Sequence, residues 1–550
     1  MTSLHSFSLL TEPWIRCQST DGDIHEVSIR DVFSDSRNLR IIRGESPAQD
    51  YAITRLLLAI LWRAHARNRS RGAGTAFEYV GWFETQWNLA KSGHADDVVL
   101  DYLAGFDERF DLLDAKAPFM QVADLHTSKN VHSPLLRMIP EAENDYFTMR
   151  AGGGRESISL AEAARWLIYL QAYDYSGIKS GAVGDSRVKG GKGYPIGTGW
   201  TGMTGGTLII GPSLRHTLLL NTIADAITAD GDSVPWERTP DGPAERPHPQ
   251  PSGPADLATW QSRRVRLFCE GDRVTGVLVS NGDQIPDAGA NVWGDPMTPY
   301  RYSKNKSKTD RPVFYPKPWD TSRTMWRSLE PLMIVEGDPG TVEGQTAKRP
   351  QNIDQVAKLS SELRGENVFD WLDIQLVAVE YGTNSSVLET TLSTQLDVPV
   401  DLLKEGARAE RRALLGTAQA TNDAASALGS FCGQLLVAAG GEYSFQPAPT
   451  DMLLARLEPE FKQWLKDFDA ERFSDLCRQW QLKVRREVTR EARIALEGAG
   501  PRALVGRPLS QGDDESPSRI QSAGTAYAWL QHKLNEVLPR THIPKEGNNA

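Results

Sequence analysis

The sequence predicts an α+β protein: a large mixed N-terminal domain followed by a C-terminal antiparallel four-helix bundle. Three observations carry that expectation. Hairpin signals stand at 263–280 and 374–392, and segments with helical spacing are interleaved with strand-like runs before about 395. Beyond 395 the composition turns to Ala, Leu, Arg, Glu and Gln, with few strand signals left, and several helices joined by short connections imply a bundle. The expected divisions are 1–373, a hairpin and junction at 374–394, and the bundle at 395–550. No internal repeat of 20–50 residues interrupts them.

In chain order, residues 9–33 read as short strands around Thr20-Asp21-Gly22-Asp23, with Ile24, Val27 and Ile29 alternating. Residues 47–67 open on Pro47 and place Ile53, Leu56, Leu57, Ile60 and Leu61 at helical spacing. A helix over 77–91 carries Trp82, Phe83 and Trp87, a stripe read as core. A helix at 160–173 follows Ser157 and Ser159. Residues 177–206 hold eleven glycines and no credible helix or strand, and a strand or helix is expected at 207–228. Seven prolines in 235–254 predict a mobile surface loop. The hairpin at 263–280 turns at Glu270-Gly271-Asp272, and the next runs 374–379, turns through 381–385 and returns over 387–392. Helices are then expected at 399–416, 419–438, 451–468, 471–498 and 519–537.

The 550 residues carry 61 Lys+Arg against 71 Asp+Glu, a formal charge of −10, and are 40% apolar and 24% charged. Such a composition excludes collagen-like, wholly disordered and disulfide-stapled classes. Cys17, Cys269, Cys432 and Cys477 include no C-x-x-C pair, which argues against a zinc site or disulfide framework. Residues 1–14 lack the basic and apolar regions of a signal peptide. The longest apolar run, 56–62 between Arg55 and Arg63, is too short for a bilayer that needs about 20 residues. A cytoplasmic, reduced protein without a membrane partner is expected.

Catalytic signatures fail on context. Residues 197–202 match G-x-G-x-x-G, but no strand feeds them and Met203-Thr204-Gly205-Gly206 is no helix start. Gly190-Gly191-Lys192-Gly193 lacks the hydroxyl that a Walker A lysine precedes. No H-E-x-x-H or G-x-S-x-G occurs. Neither a cofactor nor an enzymatic activity is expected.

Overall acidity argues against a polybasic nucleic-acid binder, yet three segments oppose it. In 177–206, Lys179, Arg187, Lys189 and Lys192 face Asp185 alone, a local +3. In 300–317, six cations face Asp310, a local +5, interleaved with Tyr300, Tyr302, Phe314 and Tyr315. Bare backbone suits a minor groove, and cations among aromatics suit phosphates and bases. The helix at 471–498 carries Arg478, Arg485, Arg486, Arg490 and Arg493 on a partly shared face. Expected phosphate contacts are Lys189, Lys192, Lys304, Lys306, Arg486 and Arg490. The competing readings are ordinary solvated loops and a solvated helix face.

The order of features resembles the CasA family, the large subunit of the type I-E CRISPR surveillance complex Cascade. Leu9-Leu10-Thr11-Glu12-Pro13-Trp14-Ile15 resembles L-L-x-x-x-W-I, and Pro118-Phe119-Met120-Gln121 matches P-F-M-Q. Thr201-Gly202-Met203-Thr204-Gly205-Gly206-Thr207 resembles S-G-L-x-G-G-T, and Arg215-His216-Thr217-Leu218-Leu219-Leu220-Asn221 resembles R-x-T-V-L-L-N. Val292-Trp293-Gly294-Asp295-Pro296 falls at a W-P-H-P-like stretch, and Phe147 at a loop associated with DNA. The resemblance implies a non-enzymatic subunit that recognises the protospacer-adjacent motif in double-stranded DNA, starts duplex opening and helps recruit a trans-acting helicase–nuclease. Its other partners would be the guide RNA and the remaining Cascade subunits. It assigns the minor-groove loop to Gly193, Gly197 and Gly199 and the wedge to Thr383 and Asn384, where the family often has Asn-Gln. The family's lysine aligns near Gln284, with no cation in 281–290, which leaves two alternatives: Lys304 or Lys306 substitutes for it, or motif reading is more relaxed. The alternatives are a scaffold and recruitment subunit with non-specific DNA contacts, and a metabolic enzyme with no ligand constellation in the sequence.

Overall fold

The computed structural model describes residues 6–34, 38–71, 77–140, 150–285, 294–308, 312–320, 325–335, 347–363, 370–509 and 519–541. The chain forms two compact units: Met1–Ser322 with Ile334–Gln395, and Arg323–Met333 with Leu396–Ala550. Arg323–Met333, inside the expected 1–373 domain, belongs to the second unit, and the expected 374–394 junction belongs wholly to the first.

The first unit is organised around the helix Pro47–Arg71. Pro47 supplies a pre-set φ at its first turn, and Ser46 Oγ accepts the Gln49 N–H at 3.2 Å. Every residue from 51 to 62 is buried, as expected of a core helix rather than an amphipathic surface one. Its buried Arg55 pairs with Asp295 at 2.9 Å. Near the N-terminus the hairpin Ile15–Ser19/Ile24–Val27 forms around the expected turn, joined by Leu39–Ile42. Ile29 departs from the expected alternation: it opens the helix Ile29–Ser34, because the chain leaves the sheet at Ser28, which accepts the Asp31 N–H on its hydroxyl. On the helix Tyr79–Ser92, Phe83 is buried and stacks on Trp87, so the aromatic stripe is packing.

Two sheets position the candidate site. The hairpin Arg263–Glu270/Arg273–Asn281 matches its sequence signal and is flanked by the short strands Ser133–Pro134 and Ile158–Ser159. The second sheet runs in the order Leu388–Pro399, Trp371–Tyr381, Gly206–Ile210. Its register sets Val377 opposite Gly206 and Asp373 opposite Ile210. The glycine-rich stretch therefore ends beside the long hairpin. The loop at 235–254 is fastened rather than loose: Arg109 donates to the carbonyls of Pro235, Trp236 and Arg238, and Arg246 pairs with Asp283 at 2.5 Å.

In the second unit, Arg408–Ala438 packs against Pro447–Lys466, Phe473–Gly498 and Ala523–Val537. The expected helices 399–416 and 419–438 are largely one helix. Gly416 costs it about 1 kcal/mol relative to Ala, while Leu414, Thr417 and Ala418 on either side are buried and hold the helix through that point. The last helix starts later than expected because Arg519–Gln521 is a strand paired with Arg507–Leu509, and a Ser522/Thr525 capping box sets the start at Ala523. Among the described residues no helix is long and apolar enough to cross a membrane. All four cysteines are free thiols.

Candidate nucleic-acid interface

The helix Leu160–Tyr173 runs into a turn that organises the site. Asp174, immediately after it, receives Arg263 Nε at 2.5 Å, Arg137 Nη2 at 2.8 Å and Lys179 Nζ at 3.0 Å. Burial alone would raise its pKa, but the three cations outweigh burial and hold the carboxylate well below its usual range. Burial pushes Lys179 down to about 7 against the pull of Asp174. Its ammonium also lies 3.8 Å from the Tyr175 ring centroid. Lys179 is thus a structural cation, not one offered to a phosphate.

From this anchor the chain reaches both candidate DNA-contacting turns. Arg263 Nη2 donates to the carbonyls of Tyr175 and Gly197, each at 2.9 Å. Ser176 Oγ accepts the Gly197 N–H at 3.0 Å, and the Ser176 N–H donates to Ser385 O at 2.6 Å. Tyr381, at the end of its strand, donates its hydroxyl to Tyr173 O at 2.8 Å. Gly197 and the hairpin turn Thr383–Ser385 are therefore fixed to neighbouring points of one short segment.

The three glycines assigned to a groove loop differ in kind. Gly197 is exposed, has φ +93°, and a Cβ there would meet nothing within 4 Å. Conformation, not space, favours glycine at this position. Gly199 is buried, and a Cβ there would lie 2.7 Å from the carbonyls of both Gln171 and Ala172. A Cβ on the buried Gly193 would lie 2.9 Å from Asn281 Nδ2. Packing inside the unit accounts for these two. The expectation of no helix or strand in 177–206 is corrected: Lys179–Ser180 pairs with Lys192–Gly193, and a single turn, Trp200–Thr204, opens directly after Gly199. It does so because the missing Cβ lets the chain seat on the end of the preceding long helix. No strand feeds this turn, so a dinucleotide site is not restored.

Lys189-Gly190-Gly191-Lys192 forms a tight two-residue hairpin turn. Lys189 and Lys192 exchange backbone hydrogen bonds at 3.0 and 3.1 Å, and Gly190 and Gly191 have φ +59° and +75°. Such a turn requires two positive φ values, which is why Gly-Gly marks it. That sequence signal was available beneath the failed Walker A match. All four residues are exposed, and neither lysine forms an ion pair with a described residue. Arg187, by contrast, is bound to Asp185 and Glu245 at 3.0 and 2.9 Å.

Thr383 and Asn384 are exposed at the tip of the long hairpin, where Asn384 has φ +58° and Ser385 φ +53°. Lys304 and Lys306 are exposed between the strands Tyr300–Tyr302 and Phe314–Pro316. Three of the four aromatics beside them do not stand ready to stack: Tyr300 and Phe314 are buried against Trp200, Leu257 and Trp260, with Tyr302 packed on the same cluster, while Tyr315 is half-buried. Trp200 Nε1 donates to Asp295 Oδ2 at 2.5 Å, tying Asp295 into this core. Gln284 is exposed and donates its N–H to Glu245 Oε1 at 2.9 Å. In the second unit Arg486 is exposed, while Arg490 is paired with Glu487 at 2.8 Å. Phe147, Val292 and Trp293 lie outside the described residues. The residues missed by sequence reading are Asp174, Ser176, Arg263 and Tyr381. No local signal reveals them, since the Asp174 and Arg263 positions are 89 residues apart.

Residues 8–490 match the family model of CRISPR-associated protein Cse1. A CasA/Cse1 protein of Thermus thermophilus is 31% identical over 377 residues, which make up 67% of this chain and 66% of that relative. The chain thus spans slightly less than two thirds of the length of this relative. The crystal structure of Thermobifida fusca Cse1 shares 34% identity at a TM-score of 0.82, covering 98% of this chain and 99% of that one. A chain from a structure described as a CRISPR RNA-guided surveillance complex shares the fold at 19% identity and a TM-score of 0.67, covering 90% of this chain and 99% of its own.

Proposed function

Because the chain belongs to the CRISPR-associated Cse1 family, we propose that it is the large subunit of a CRISPR RNA-guided surveillance complex. On this reading it recognises the protospacer-adjacent motif in double-stranded DNA, starts duplex opening and helps recruit the helicase–nuclease, without catalytic chemistry of its own. Its partners are target DNA, the guide RNA and the other subunits of that complex.

The observation that carries the reading is the exposure of the Gly197 turn and the Thr383–Ser385 turn, both hydrogen-bonded to Ser176. A turn without a side chain can enter a minor groove about 6 Å wide. Lys189 and Lys192 supply a phosphate clamp on a separate tip, which positions the duplex without reading it. The hairpin tip beside the groove turn then acts as the wedge. Unstacking a base step costs a few kcal/mol, and guide pairing with the target strand makes the later exchange nearly neutral. The guide, not this subunit, reads most of the target.

The Gly197→Glu variant tests the groove assignment more cleanly than a change at the packed Gly199. In the assembled complex it should abolish preference for a motif in a randomised duplex library while leaving subunit composition intact. An unaltered motif profile would overturn the groove assignment. A flat profile for the unmodified complex would favour the scaffold reading. Alanine at Thr383 and Asn384 should reduce R-loop yield from relaxed plasmid more than initial duplex binding; equal yields would remove the wedge.

A further inference from the structure

We propose that Ser176 is a positioning residue that couples the groove turn to the hairpin tip, so that seating the duplex on one favours the strand-separating geometry of the other. The inference rests on the reading above. Ser176 is buried, at 7% exposure, and lies two residues after Asp174. Its main chain holds Ser385 O, and its side chain holds the Gly197 N–H. Arg263 fixes the Gly197 carbonyl at the same time, so both backbone polar groups of Gly197 are tied to the Asp174 anchor.

The hairpin end of this link is under strain. Asn384 and Ser385 are consecutive non-glycine residues with positive φ. Such residues persist only where the surroundings over-determine them. The short bond from Ser176 to the Ser385 carbonyl is one such restraint, with the Ser385 N–H held by Gly382 O at 2.8 Å as another. A shift of Gly197 against DNA would move the Ser176 hydroxyl, and with it the peptide that restrains the tip. Coupling of this kind is reciprocal: the state of the tip must equally alter the groove turn.

A mutant cycle in the assembled complex tests this. Gly197→Ala, Asn384→Ala and the double variant are compared for duplex affinity and for opening, read by a fluorescent base analogue at the first target base pair. In the Ser176 background the double variant should deviate from the product of the single effects by at least about threefold. With Ser176→Ala the single effects should multiply, and Ser176→Thr, which keeps the hydroxyl, should restore the deviation. Persistence of the deviation in Ser176→Ala, or simple multiplication in the native background, would overturn the coupling. A purely structural role would lower melting temperature and affinity together while leaving the deviation unchanged, and would overturn it too. If neither single variant changes binding or opening, the DNA-reading function fails as well, which separates the two failures.

Discussion

The glycine-rich stretch 177–206 and the helix Phe473–Gly498 both carry clustered cations, and they dispose of them in opposite ways. In the stretch, Lys179 is buried on Asp174 and Arg187 is held by Asp185 and Glu245, leaving Lys189 and Lys192 on an exposed turn without an ion-pair partner among the described residues. On the helix, Glu487 and Glu491 lie within one turn of Arg490 and also receive Arg456, at 3.1 and 2.8 Å. A helix places residues three and four apart side by side, so Arg490 is neutralised within its own helix, while Arg486 stays exposed. An irregular chain built on positive-φ glycines can separate the cations that support it from those it presents. Local net charge therefore overstates both regions, and pairing decides what is left for a phosphate.

The largest test of this contrast removes the support. Asp174→Ala would leave three cations facing one another in a buried site, and should destabilise the first unit by about 3–5 kcal/mol in urea unfolding. A loss near zero would mean that the stretch does not depend on its anchor. Next, Gly199→Ala should cost about 1–3 kcal/mol through overpacking against two carbonyls, whereas Gly197→Ala should cost about 1 kcal/mol from conformation alone. Equal costs would erase the distinction between a packed glycine and a presented one.

Salt dependence sharpens the comparison further. Replacing both Lys189 and Lys192 with alanine should lower the salt slope of target-duplex binding by about 1.8, and Arg486→Ala by about 0.9. Arg490→Ala should change it less than Arg486→Ala, because its charge is already met by Glu487. The buried anchor also responds to pH. Lys179 has its pKa depressed to about 7 from 10.5, so between those values the unfolded chain holds a proton that the folded chain has released. From this group, stability rises with pH across that window and is flat below it. Urea unfolding from pH 6.5 to 9 should show this slope, and its difference from Lys179→Met should isolate it; identical pH profiles would mean that Lys179 is charged throughout.

Much of the fold is legible in the residues. Hairpin turns at Gly271 and at 381–385, the helix after Ser159 and the aromatic packing of the 79–92 helix all follow from spacing and turn chemistry. Those signals act over a few residues. The merging of two expected helices across Gly416 and the strand at Arg519–Gln521 were not legible, because tertiary burial and a distant partner strand override local propensity.

The overall charge of −10 and the basic segments are properties of the sequence, and so are the Gly-Gly turn and the family likeness. Which glycine is presented, which lysine is spent on a buried carboxylate, and that one serine touches two turns are properties of the tertiary structure. The reason is distance along the chain. Ser176 meets residues 197 and 385, and Asp174 meets 137, 179 and 263. Only folding brings such partners within hydrogen-bonding range, and desolvation then decides which charges remain for a ligand.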